Sequence, residues 1–101
     1  MRYRSFHERL IKAVTTTPGA APESLRRAVL ERTAAVPQAL NRYVDTVARH
    51  AYKVTEADVA GLKQAGYSDD AIFEITVAAA VGAAMHRLQR GMAALHGVEP
   101  D

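Results

Sequence analysis

The chain has 101 residues, 49% of them hydrophobic but only 6% aromatic, with no tryptophan and no cysteine; that is the size of one domain with few large anchors for its core. Thirteen Lys and Arg against eleven Asp and Glu leave a formal charge of +2, and no run of like charge exceeds a pair such as Arg26-Arg27 or Asp69-Asp70, which argues against a dedicated nucleic-acid surface. Without cysteine this chain has no disulfide, no zinc–thiolate site and no thiol nucleophile.

In chain order, the first residues MRYRSFHERL lack the continuous apolar core of a secretory signal. Phe6, Leu10, Ile11 and Val14 form the apolar stripe of a first helix, closed by the loop TTTPGAAP. Pro22 suits the first turn of a second helix, with Leu25, Val29 and Arg32 on one face. Val36-Pro37 interrupts it, since a residue before proline is pushed out of the α region. A third helix runs from Pro37 to His50, with Leu40, Tyr43, Val44, Val47 and Ala51 on one side.

Two helix starts follow in quick succession. Thr55 is an N-cap with Asp58 as the capping-box acid, and Val54 and Val59 are spaced as a hydrophobic staple. That short helix stops at Gly66, which takes the left-handed position after a helix. Ser68 caps the next, with Tyr67 and Ile72 as staple and Asp69 and Asp70 at the positive end of the helix dipole. From Asp69 nothing interrupts the pattern until His96-Gly97, so the last helix spans about 27 residues, roughly 40 Å. A globule of this length is about 33 Å across, so the helix is expected to outrun its domain. Its many small residues, among them Ala78, Ala79, Ala80, Gly82, Ala83, Ala84 and Gly91, offer a surface for close helix packing, which gives its two interior glycines a reason. The fold expected is an all-α, single-domain bundle of about five helices with a long Ala-rich C-terminal helix. Residues 1–35 form a helical lead-in and residues 36–97 the core. The longest apolar stretch, Ile75 to Met85, reads as too short to span a bilayer, so a cytoplasmic protein without membrane association is expected.

The segment YKVTEADVAGLKQAGYSDDAIFEITVAAAVGAAMHRL, and most specifically AGYSDDAIFEI with the small-residue helix after it, resembles the carboxymuconolactone decarboxylase and alkylhydroperoxidase D-like superfamily. The resemblance covers residues 36 to 95. It implies a homo-oligomer, trimer or hexamer, in which the long helix packs between subunits. In the redox branch a C-x-x-C pair precedes the glycine, with a histidine four residues after the second cysteine. Counted back from Gly66, those positions hold Ala51, Val54 and Asp58. The family's glutamate is unmatched as well, Glu31 and Asp45 lying at other spacings. Peroxidase chemistry needs a thiolate and a resolving thiol, and this chain has neither.

Some relatives work by acid–base steps without dithiol or cofactor, which leaves His50, Glu74 and His86 as catalytic candidates. Each also has a plain structural reading: His50 as a cation at a helix C-terminus, Glu74 as an exposed or interface carboxylate, His86 with Arg87 and Arg90 as a polar stripe. The histidines at 7, 50, 86 and 96 lack metal-ligand spacing. Tyr43 and Tyr52 flank Val47 and offer rings either to line a pocket or, the commoner use of such a pair, to pack in the core. No phosphate loop or nucleophile elbow is present, and no cofactor or metal is expected. The favoured expectation is a non-redox, oligomeric protein that binds a small molecule or partner protein or serves structurally. The alternatives are a cofactor-free acid–base enzyme with an intersubunit site, and a small nucleic-acid-binding domain using Arg2, Arg4, Arg9, Arg26, Arg27 and Arg32.

Overall fold

A computed structural model describes residues 2–96, with side chains from residue 4 onward. Among the described residues the secondary structure is helical: α1 (Arg2–Thr16), α2 (Glu23–Glu31), α3 (Gln38–His50), a 3₁₀ turn (Ala51–Lys53), α4 (Glu56–Gln64) and α5 (Asp69–His96). The expected stop at Gly97, and with it the end of the core segment, lies outside the described residues.

The punctuation forms as local chemistry dictates. The Thr55 backbone N–H donates to Asp58 Oδ2 at 2.9 Å, and the Asp58 N–H donates to Thr55 Oγ1 at 3.2 Å, a reciprocal capping box. Ser68 Oγ accepts from the Ala71 N–H at 3.1 Å. Gly66 has φ of +104°, a conformation glycine enters without Cβ penalty. Prolines 22 and 37 precede α2 and α3 as extended N-cap residues, one position outside each helix.

The core gathers Val29 of α2, Leu40 of α3 and Ile75 and Ala78 of α5, all fully buried, with Val44, Leu62 and Ile72 around them. Residues on both sides of position 35 share this core, so the lead-in and the remainder form one unit. Burying each large aliphatic side chain contributes about 1.5–3 kcal/mol. Small residues on α5 let α2 approach closely. At Gly82 an added Cβ would overlap the Leu30 carbonyl oxygen, so this glycine is the closest point of that crossing. Gly91 by contrast has nothing within 4 Å of a Cβ position.

Several expectations change. Phe6 is 52% exposed instead of closing the α1 stripe. Arg32 leaves the α2 face because it sits in the left-handed region at φ 56°, returning its N–H to the Val29 carbonyl. Ala51 belongs to the 3₁₀ turn and is exposed, because α3 ends at His50. The reading of the apolar stretch as too short to span a bilayer also fails for the helix as a whole. At 28 residues α5 is long and apolar enough, by length and composition, to cross a membrane; its face from Ala71 through Ile75, Ala78, Ala79 and Gly82 nevertheless forms the centre of the bundle. The longest dimension of the molecule is 45 Å. After Met85 no described residue of α5 is buried, so the end of the helix reaches past the core.

Candidate functional site

The α1–α2 loop is held by two charged side chains from different elements. Arg26, 5% exposed, donates from Nε to the Ala21 carbonyl at 3.0 Å, from Nη1 to the Val14 carbonyl at 3.0 Å and from Nη2 to the Thr17 carbonyl at 2.6 Å. It thus satisfies the Val14 and Thr17 carbonyls at the end of α1, which lack helical partners, and the Ala21 carbonyl of the loop. From the opposite side Glu74 accepts the Ala20 N–H on Oε2 and the Ala21 N–H on Oε1, both at 2.8 Å. Its carboxylate lies so close to Gly19 that a Cβ there would stand 2.5 Å from Oε1. The Ala21 and Ala20 N–H groups hold the Glu74 carboxyl below the usual carboxylate range; desolvation pushes the other way, and the charge of Arg26 adds a smaller downward pull.

This placement bears on two of the sequence readings. A general acid at neutral pH needs a raised pKa, and Glu74 is shifted down with both oxygens engaged. Arg26 is buried among carbonyls and does not face phosphate. Of the other arginines considered for nucleic acid, Arg32 pairs with Asp45 at 2.8 Å, and the Arg2 side chain lies outside the described residues.

The remaining candidates do not converge. His50 is exposed at the end of α3, edge-to-face with Tyr52 at a centroid distance of 6.0 Å. Tyr52 is 81% exposed, with Lys53 Nζ 5.9 Å from its ring centroid. Tyr43 instead is buried and donates to Thr76 Oγ1 at 2.6 Å while Thr76 donates to the Ile72 carbonyl, so the two tyrosines share no pocket. At the positions that the resemblance aligns with a dithiol and its histidine, Ala51 is exposed in the 3₁₀ turn, Val54 packs against the core and the Asp58 carboxylate is spent in its capping box. A shallow depression of about 370 Å³ lies beside them, over Val54, Val59, Ala60 and the stem of Lys63. Among the described residues no three His, Cys, Asp or Glu side chains are grouped to hold a metal ion.

A larger concave feature lies elsewhere. A groove of about 740 Å³ opens where α1, the ends of α2 and α3, and the second half of α5 meet, within the volume range of small-molecule sites. Its floor is Ile11, Leu30, Ala48, Gly82, Ala83 and Met85; its rim carries His7, Glu31, Arg32, Arg49, His86, Arg87 and Gln89. Arg87 donates from Nη2 to the Ala48 carbonyl at 2.8 Å and so closes the end of α3. Asp45 Oδ1 bridges Arg32 Nη2 and Arg49 Nε, each at 2.8 Å. Of the three catalytic candidates, His86 alone reaches this groove. The sequence reading missed His7, Arg49 and Gln89. A usable signal existed in Gly82, His86 and Gln89, which share one helix face at the i, i+4, i+7 spacing.

The chain matches no protein-family model, and neither a characterised protein nor a solved structure gives a significant match.

Proposed function

We propose that the chain is a dithiol-free relative of the carboxymuconolactone decarboxylase and alkylhydroperoxidase D-like proteins that serves as a binding or structural subunit of a homo-oligomer. The observation that carries this reading is an uncovered apolar seam along α5. Phe73, Val77, Ala80, Ala84, Leu88, Gly91 and Leu95 fall on one side of the helix, opposite its core face, in steps of four, three, four, four, three and four residues. Phe73 is 68% and Leu95 74% exposed, Ala80, Ala84 and Gly91 are exposed, and Val77 and Leu88 are half-buried. Contiguous apolar surface of this kind marks an interaction site on a soluble protein. The small residues at its centre admit a second helix backbone, and an identical seam on another copy supplies one.

The reading is also supported by the Gly66 stop, the Ser68 cap and the small-residue helix after them, where the family resemblance is most specific, and by the engagement of Glu74 and Asp58 in structural hydrogen bonds. The test is native mass by light scattering. Wild type is expected as a trimer or hexamer, and Ala84→Glu, which sets a carboxylate in mid-seam, as a folded monomer of unchanged helical content. A wild-type monomer at high micromolar concentration overturns the proposal.

A further inference from the structure

The seam on the outer face of α5 has the same spacing from either end. The steps from Phe73 to Ala84 are four, three and four residues, and those from Leu95 back to Ala84 are four, three and four as well. A second copy turned end for end about Ala84 therefore sets Phe73 against Leu95, Val77 against Gly91 and Ala80 against Leu88.

Side-chain size fits that register. Val77 of one copy meets Gly91 of the other, where nothing stands within 4 Å of a Cβ position, and Leu88 meets the exposed Ala80. Large against small is the arrangement in which facing side chains interdigitate at close-packed density. A parallel pair or trimer in register stacks each residue on its own copy instead. Leu88 on Leu88 then sets the helix separation, and the neighbouring layers of Gly91 and Ala84 are left without contact. A parallel pair offset by eleven residues avoids that stacking, but it joins different parts of the seam and builds an open filament.

Charge selects the same orientation. Asp69 and Asp70 stand four and three residues before Phe73, at one end of the seam. Lys63 pairs with Asp69 at 2.8 Å, whereas Asp70 enters no ion pair among the described residues. A parallel pair sets the two Asp70 carboxylates beside each other and aligns the helix dipoles. An antiparallel pair separates those carboxylates by about 40 Å and opposes the dipoles. It also brings each Asp70 to the end of α5 that carries His96 of the other copy.

We propose that the seam joins two copies antiparallel across a two-fold axis at Ala84. This rests on the self-association proposed above and adds its orientation and register. An isologous contact of this kind links chains in pairs, so of trimer and hexamer only the hexamer, as three such pairs, accommodates it.

The chain has no cysteine, so single cysteines placed on α5 report their own surroundings. The cross-linker is a bismaleimide with a reach of about 10 Å, the separation of packed helices. Phe73→Cys and Leu95→Cys are each expected to stay unlinked alone, since antiparallel copies of either site stand about 33 Å apart. Mixed in equal amounts, with subunits exchanged by dilution and reconcentration, they are expected to link with a yield about tenfold above either alone. Ala84→Cys is expected to link to itself. All three sites are exposed, and the native mass of each variant checks that it still associates. Where Phe73→Cys or Leu95→Cys dissociates, Asp70→Cys with His96→Cys makes the same comparison and leaves the seam intact. Self-linking of Phe73→Cys or Leu95→Cys at the mixed yield, or a native trimer, would overturn the antiparallel pair and leave self-association standing. A multimer in which Ala84→Cys stays unlinked would overturn it too, and a wild-type monomer would overturn both readings.

Discussion

Glu74 joins two stretches of chain more than fifty residues apart, and its effect depends on its charge. Both oxygens accept from backbone N–H groups, Ala20 and Ala21, next to a glycine that leaves room for them. Glu74→Gln substitutes an amide NH₂ for one acceptor, which then confronts an N–H donor. Hydrogen bonds to charged groups contribute about 1.5–3 kcal/mol when shielded; the site is only half-buried, so a loss of about 1–2 kcal/mol at neutral pH is expected. The sign with pH follows from the downward shift. The folded-state pKa lies below the ordinary value of 4.5, so the contribution is fully present above pH 4.5 and fades as pH falls through the folded value. Urea unfolding at pH 7 and at roughly pH 3 checks this, since the gap between wild type and Glu74→Gln should narrow at the lower pH. Neither Glu74 nor Arg26 was legible as a loop clamp in the sequence. Their partners are main-chain groups of a distant loop, and no side-chain pattern announces those.

Among elements, legibility tracked locality. The Thr55–Asp58 box, the Ser68 cap and the left-handed Gly66 each involve residues within three or four positions, and all three were readable. Arg32 was misread because a non-glycine residue occupies the left-handed end of α2, a choice fixed by its N–H return to Val29 and its pairing with Asp45. The groove was hidden for the same reason as the clamp: His7 and His86 are brought together only by the α1–α5 crossing. On α5 the two interior glycines looked alike in sequence and differ in structure. Gly82→Ala must displace the Leu30 carbonyl, so a loss of about 1–3 kcal/mol is expected from overpacking. Gly91→Ala meets nothing within 4 Å and should stabilise the isolated chain by about 0.5–1 kcal/mol through helix propensity. Urea midpoints at low protein concentration distinguish the two; a destabilised Gly91→Ala would mean that position 91 is already packed in dilute solution.

On the scale of the whole molecule, the question is why a 101-residue chain carries a helix whose last described turns contribute no fully buried residue. The seam answers it in the terms of helix geometry. Phe73, Ala84 and Leu95 are eleven residues apart, as are Val77 and Leu88, and Ala80 and Gly91. An eleven-residue repeat corresponds to about 3.67 residues per turn, close enough to the natural helix for the stripe to run almost parallel to the axis. A partner helix can therefore follow it over its full length with little supercoiling, including the turns beyond Met85 that the chain's own core does not reach. If folding and association are linked in this way, stability depends on chain concentration by mass action. The thermal midpoint of wild type is expected to rise with concentration, and that of Ala84→Glu to be lower and flat. Amide exchange separates this from simple fraying. Residues 86–96 should be protected in concentrated wild type and exchange freely in Ala84→Glu, while Val29, Leu40 and Ile75 stay protected in both. Free exchange of residues 86–96 in wild type at every concentration would leave the end of α5 without a partner copy, and the seam without its proposed role.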